Sequence, residues 1–187
     1  MTDNGDKNNY HIYEKFDGDV SHVVVFAKAA SINAHVNCVH LESFVIAILT
    51  TGPNEVTTLM SAMGVDLHKC LAIFKQRLES KRASFNENPN FRDEIPNSRE
   101  VIDMVRRADN ISTDMGSIDS VTDKPYIGLK HIFIAIMEMS PIIRKIFESE
   151  GLGFPEIIDI LKSGKNISKS NTNKKIRKKK KKDSPLS

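Results

Sequence analysis

Tryptophan is missing from this 187-residue chain, and aromatic residues make up only 6% of it. Aliphatic and methionine side chains must therefore build the core. Cysteine occurs only as Cys38 and Cys70. Two are too few for a disulfide scaffold, so a reducing, cytoplasmic setting is expected. No apolar run reaches the roughly 18–20 residues that a membrane-spanning helix needs, and no membrane partner is expected. The N-terminus, MTDNGDKNNYHIYEKF, lacks the apolar stretch of a signal peptide and the Arg/Ser richness of a transit peptide. A phosphate-binding glycine loop is missing too: G-x-x-x-x-G-K-[ST] occurs nowhere. The nearest string, SGKNIS at 163–168, has no hydroxyl residue directly after its lysine. A phosphate cradle needs both the loop and that hydroxyl for Mg²⁺, so ATP hydrolysis is not expected. No convergent acid, base or nucleophile set is visible either, so the chain reads as a non-enzyme without a cofactor.

What is present is an ordinary globular composition with an uneven charge. Hydrophobic residues reach 40% and charged residues 27%, which suits a soluble domain with a real core. The net charge of +3 divides sharply. Residues 169–187 hold nine Lys/Arg and one Asp, a net of +8, which leaves the body at −5. Body and tail therefore need separate explanations.

Helix signals dominate the body. Residues 20–34 carry an apolar stripe at Val20, Val23, Val24, Ala27, Ala30 and Ala34, close to a period of 3.6. Residues 41–50 are apolar nearly all round, which marks a buried central helix. Gly52-Pro53 breaks it, and Pro53 suits the first turn of a third helix that stops at Gly64. Asp66 caps a fourth, with Leu67, Leu71, Phe74 and Leu78 on one face. Residues 81–96 hold two prolines, three asparagines and little periodicity, and read as a linker. The pattern then restarts. Ser98 caps a helix to about residue 110, a polar loop follows at 112–124, and YIGLKHIFIAIM at 126–137 opens a second apolar helix. Ser140-Pro141 caps the next helix, Gly151 ends it, and Phe154-Pro155 opens the last, to about Gly164.

The chain thus repeats itself. Val39/Ile127, Leu41/Leu129, Phe44/Ile132 and Ala47/Ala135 correspond at an offset of 88. Gly64/Gly151, Leu67/Phe154 and Leu71/Ile158 correspond at 87. The expected fold class is all-α: two pseudo-repeated four-helix units around one pseudo-twofold axis. The expected divisions are a flexible N-terminus at 1–15, repeat one at 16–80, a linker at 81–96, repeat two at 97–164 and a disordered basic tail at 165–187.

These residues carry a resemblance. YIGLKHIFIAIM resembles the IGTEHLLLGL signature of the Clp N-terminal domain family, which fronts ATP-driven unfoldases. VHLESFVIAIL is its counterpart in the first unit. VVVFAKAA and LMSAMGVDLHKCL resemble the family's first helix and its junction between helices three and four. The resemblance spans about 16–164, internal duplication included, but without the ATPase modules. The departures are Glu42-Ser43 and Lys130-His131 where the family has Glu-His, and a loop at 112–124 longer by about ten residues. The resemblance implies a single Clp N-terminal-like domain acting as a non-catalytic interaction module. Its implied partners are clients, adaptors or subunits of a Clp chaperone/protease system, which it would meet as adaptor, decoy or inhibitor.

The candidate site residues follow from the two signature positions. A Glu at the start of a helix is stabilised by the partial positive charge there, whereas a Lys is not. Glu42, Lys130 and His131 are the partner-binding candidates, because the resemblance assigns recognition of basic or phosphorylated-arginine groups to the acidic position. Only Glu42 matches it, and Lys130 would turn the second unit toward acidic partners. His35, Cys38 and His40 lie close in sequence but point in different directions from one turn, with no second Cys/His pair. No metal site is expected. In the tail, Lys174, Lys175, Arg177, Lys178, Lys179, Lys180, Lys181 and Lys182 make eight basic residues in nine. The alternative function is sequence-blind DNA or RNA binding through this segment, or contact with an acidic protein surface.

Overall fold

The computed structural model describes residues 11–82 and 95–164. Four helices form repeat one: α1 (Gly18–Asn33), α2 (Leu41–Thr50), α3 (Glu55–Ala62) and α4 (Leu67–Glu79). Four form repeat two: α5 (Arg99–Asp114), α6 (Leu129–Met139), α7 (Pro141–Ser149) and α8 (Phe154–Ser163). The fold is all-α, and among the described residues extended pairing is limited to isolated bridges. No helix among them is long and apolar enough to cross a membrane.

Local chemistry explains the boundaries. The side chains of Asp17, Asn54, Asp66, Ser98 and Ser140 each accept a first-turn N–H. Such a cap satisfies one of the donors that a helix start leaves unpaired. Gly64 and Gly151 follow α3 and α7 at φ +83° and +103°, a region that glycine enters without steric cost. Pro53 lies outside the expected first turn, two positions before the first helical residue, Glu55. It precedes the cap, Asn54, whose amide also donates to the Ile48 carbonyl. α5 runs to Asp114, past the expected end near 110. Ile111 and Ser112 are buried there, and the Ser112 hydroxyl donates to the Tyr126 carbonyl.

α2 and α6 are the most buried helices: Leu41–Ile48 in one and His131–Met137 in the other are shut away from water. α1 packs on α2 and α5 on α6, with α3 and α1 reaching across to α6. Each fully buried aliphatic or aromatic side chain contributes about 1.5–3 kcal/mol, so these stripes dominate the stability. Phe74 of α4 meets Phe147 of α7 at 5.1 Å, and Phe147 meets Phe133 of α6 at 6.0 Å. The core is therefore continuous between the repeats.

Two parallel bridges join the repeats crosswise. Phe16, just before α1, pairs with Ile127, just before α6. Val39, just before α2, pairs with Asn97, just before α5. Ile127 N–H donates to the Lys15 carbonyl (2.7 Å), and Asp17 N–H to the Ile127 carbonyl (3.1 Å). Val39 N–H donates to the Pro96 carbonyl (2.8 Å), and Ser98 N–H to the Val39 carbonyl (2.9 Å). The two sets superpose residue for residue, and the flanking Asp17 and Ser98 cap α1 and α5. This places the first helices at an offset of 81: Val20/Val101, Val23/Met104, Ala27/Ala108 and Ser31/Ser112 are all buried.

Of the expected flexible N-terminus, residues 1–10 lie outside the described residues, while residues 11–15 make contacts with the body. Lys15 Nζ lies 2.8 Å from Asp109 of α5, and the Tyr13 hydroxyl accepts from Asn97 at 3.3 Å. Ile12, Tyr13 and Phe16 pack on the core, which is the apolar reason for the docking. Of the expected linker, Ile95 is buried and Pro96 belongs to a bridge.

Replacing Ser98 by Ala removes one cap beside one bridge. The expected cost is about 1 kcal/mol. That corresponds to a fall in melting temperature of about 2–4 °C for a chain of this size, read by calorimetry. An unchanged midpoint would mean that the cap does not hold this junction.

Candidate docking groove and the signature positions

The three signature residues sit at the starts of α2 and α6. Glu42 is buried in the first turn of α2, with only 4% of its side chain exposed. One carboxylate oxygen meets Arg77 at 3.3 Å and the other Lys81 at 3.0 Å. Burial pushes its pKa up, but the Lys81 hydrogen bond, its own backbone N–H and the two cations outweigh burial, and the net direction is down. Glu42 is thus an ionised carboxylate clamping the end of α4 onto the start of α2.

Lys130 occupies the equivalent place in α6 and is half-exposed. Its backbone N–H donates to Glu55 Oε1 at 3.0 Å. Glu55 begins α3, so repeat one supplies the negative charge that the α6 start needs. The contact uses the backbone N–H, so it places a carboxylate at the helix start whichever side chain stands at 130.

His131 is fully buried. Its Nδ1 accepts the Gly128 N–H at 2.8 Å, which places the ring proton on Nε2, facing Ser117 Oγ at 2.9 Å. The Tyr126 ring stands edge-on at 5.6 Å. Burial, and then the charge of Lys130, push its pKa down to about 4. In repeat one Ser43 does the same work: its Oγ accepts the His40 N–H at 3.1 Å and lies 2.7 Å from Ser31 Oγ. A Cβ at Gly128 would stand 3.0 Å from both Asp17 Oδ2 and the Tyr126 ring, so one of these side chains would have to give way by a few tenths of an ångström.

Cys38 Sγ lies 3.4 Å from His40 Nε2. Burial raises the thiol pKa, while burial and Lys81 lower that of the imidazole. The pair is therefore uncharged at neutral pH, unlike an activated thiolate. Among the described residues no three His, Cys, Asp or Glu side chains are grouped to hold a metal. The basic residues at 174–182 lie outside the described residues.

The structure adds a feature that the signature positions did not mark. The outer face of α1 exposes three large apolar side chains among polar ones: Val25 is 64% exposed, Phe26 49% and Ile32 38%, beside exposed His22, Lys28 and Asn33. Beside it runs a groove of about 440 Å³ between α1, α2 and α4. Its apolar lining includes Phe26, Ala29, Ala30, Ile46 and Leu78, with Thr50, Lys75 and Glu79 adding polar groups. Val25, Phe26 and Ile32 fall off the buried stripe in the sequence, and that was the available signal.

Repeat two shows why the groove is open. At the corresponding positions Phe26 becomes Arg107, Thr50 becomes Glu138 and Lys75 becomes Lys162. Arg107 binds Glu138 at 2.7 Å, and Lys162 approaches it at 3.8 Å. This ion bridge spans α5, α6 and α8. Ala30 and Ala34 likewise become the larger Ile111 and Met115, and Ile111 is buried. Repeat one thus has smaller or uncharged side chains beside its groove where repeat two has larger ones and an ion bridge.

The fold has a solved counterpart. The N-terminal domain of Hsp104 from Candida albicans is similar over 80% of this chain and 87% of that one, with a TM-score of 0.58 and 19% identity. No family model matches the chain, and no curated protein does. The chain has the helical architecture of a Clp N-terminal-like domain; at this identity the likeness concerns the fold.

The buried imidazole gives a pH prediction. Its native pKa, about 4, lies below the ordinary histidine value of roughly 6.5. The stabilisation is therefore full above pH 6.5 and is lost as the pH falls toward 4, where the unfolded chain holds a proton that the native chain refuses. The loss through this group approaches about 3 kcal/mol. His131→Ser, which copies Ser43, is expected to be less stable at pH 7 and nearly level with wild type at pH 4, as measured by urea unfolding. A constant difference between the two proteins would contradict the assignment.

Proposed function

We propose that this chain is a non-catalytic protein-docking module whose groove in repeat one receives apolar segments of partner proteins. The observation that carries this reading is the contrast between the repeats. Phe26, Thr50 and Lys75 border an open apolar groove where Arg107, Glu138 and Lys162 form a closed ion bridge. Exposed apolar surface beside a concavity is what a protein-binding site offers, and it costs solubility if left unused.

Polar surroundings fit docking better than chemistry. Glu42 and His131 are committed to holding helix starts together, and the Cys38–His40 pair is uncharged. On this reading Glu42 acts by fixing α4 as a wall of the groove, and Lys130 stands outside its lining. The likeness to an Hsp104 N-terminal domain supports partners of the chaperone type. Clients, adaptors or subunits of a Clp system are the specific candidates, with the chain acting as adaptor, decoy or inhibitor.

The test builds the repeat-two bridge into repeat one. In Phe26→Arg/Thr50→Glu the new pair can join Lys75 across the groove. Stability is expected to change by under about 1 kcal/mol, because the exchanged groups are partly exposed. Binding of a fluorescein-labelled apolar peptide, and co-elution with a Clp-type ATPase, should both weaken at least about tenfold, the equivalent of losing 1.4 kcal/mol. Wild-type affinity in the closed-groove variant would sink the reading.

A further inference from the structure

The buried start of α6 ties down the long connection that leads into it from α5. Both ring nitrogens of His131 are committed there. Nδ1 accepts the Gly128 N–H at 2.8 Å, and the Nε2 proton faces Ser117 Oγ at 2.9 Å. The Tyr126 ring stands edge-on to the imidazole at 5.6 Å. Two further ties run to the end of α5: the Ser112 hydroxyl donates to the Tyr126 carbonyl, and the Ser117 N–H donates to the Ser112 carbonyl. Beyond these ties the connection stands in water. Residues 120–125 are all exposed, and so is Ile118.

This arrangement has no place for a second ring proton. A proton on Nδ1 would set one N–H donor against another, that of Gly128, and would bury a charge. The charged groups around the junction do not compensate. Lys130, next on the same helix, repels a second cation. Glu55 of α3 is held on the Lys130 N–H, and Lys15 before α1 is held by Asp109 of α5. Within the connection, Asp119 Oδ1 is taken up by Val121 and Thr122, while Asp123 and Lys124 are exposed. Asp17 lies beside Gly128 and caps α1 through Val20 N–H. Burial pushes its pKa up, so Asp17 gives up its charge as the pH falls toward the range where the ring would gain one.

We propose that His131 is an acid-released latch: protonation of its ring breaks the hold on Gly128 and Ser117 and frees residues 115–126, up to the bridge at Ile127, while the helices stay packed. The burial pattern sets the direction of escape. On α6 the neighbours of the ring, Leu129, Ile132 and Ile134, belong to the core. Ser117 and Tyr126, which also touch it, are only half-buried and belong to the connection. A charged ring therefore reaches water by displacing the connection and not by unpacking α6. Segments with few buried apolar contacts open at a lower free energy than the whole fold. Repeat one lacks the device, because Ser43 holds its helix start with a hydroxyl that does not titrate in this range. Loss of the ring proton restores the Gly128 bond and closes the latch again.

Residue-resolved NMR of the full chain, titrated with acid from neutral pH, tests the latch. The His131 ring reports its own protonation. The Ser117 and Gly128 amides and the Tyr126 ring report the connection, and the methyls of Val45, Ile46 and Ile48 report the core. In wild type the connection signals should move with the midpoint of the ring while the α2 methyls hold still. Amide exchange at Ser117 and Gly128, corrected for its intrinsic pH dependence, should quicken at least about tenfold through that midpoint. His131→Ser, which copies Ser43, should show no such transition. Ser117→Ala keeps the ring but removes one tie, and should already quicken exchange in the connection about tenfold at neutral pH, as expected for one lost hydrogen bond. A connection that stays in place while the ring titrates would overturn the proposal. So would the same transition in His131→Ser, or a single transition in which α2 and the connection are lost together.

Discussion

Everything else in this fold rests on a crossed pair of backbone bridges. Each repeat begins its first helix on the lead-in to the second helix of the other repeat: Phe16 on Ile127, and Asn97 on Val39. Four backbone hydrogen bonds of 2.7–3.1 Å fix those four helix starts relative to one another. Neither repeat completes its own junctions, so a cap lost in one is felt in the other. The continuous ring cluster of Phe74, Phe147 and Phe133 and the Lys69–Glu150 contact at 3.0 Å then close the same interface from the other end of each unit.

Duplication fixes the shared framework and makes differences readable. Buried positions match across the repeats, as in Ala27/Ala108 and Ser31/Ser112. The helix starts are satisfied by different means: Ser43 in one, His131 in the other, with Glu42 supplying its own charge and Lys130 borrowing that of Glu55. The repeats also differ on the outer surface: repeat one has the groove beside Phe26, and repeat two has the longer connection between α5 and α6.

Much of this architecture was legible in the sequence. The caps Asp66, Ser98 and Ser140, the stops Gly64 and Gly151, and the apolar runs at 41–50 and 126–137 act locally, so short-range patterns reveal them. The offsets of 88 and 87 followed from the same signals. The offset of 81 did not, because Val23 corresponds to the dissimilar Met104 and the longer connection breaks the alignment. α5 ran past its expected end because NISTD shows little apolar periodicity; burial of Ile111 and Ser112 holds that last turn. The groove was hidden for another reason. An apolar stripe shows which face is buried, but an opening depends on volume: Ala30 and Ala34 against Ile111 and Met115, and Thr50 against Glu138. Charge at Glu42 and Lys130 attracted the sequence reading, yet Glu42 is neutralised by Arg77 and Lys81 inside the fold.

The central claim is that function has settled on the outer face of α1 and not on its pseudo-equivalent in α5. The most direct test is residue-resolved NMR of isotope-labelled chain titrated with an apolar peptide. Perturbed amides and methyls should cluster on Val25, Phe26, Ala29, Ile32, Ile46 and Leu78, with Arg106, Arg107 and Asn110 unmoved. Perturbations spread equally over both helices, or centred on α5, would contradict the account.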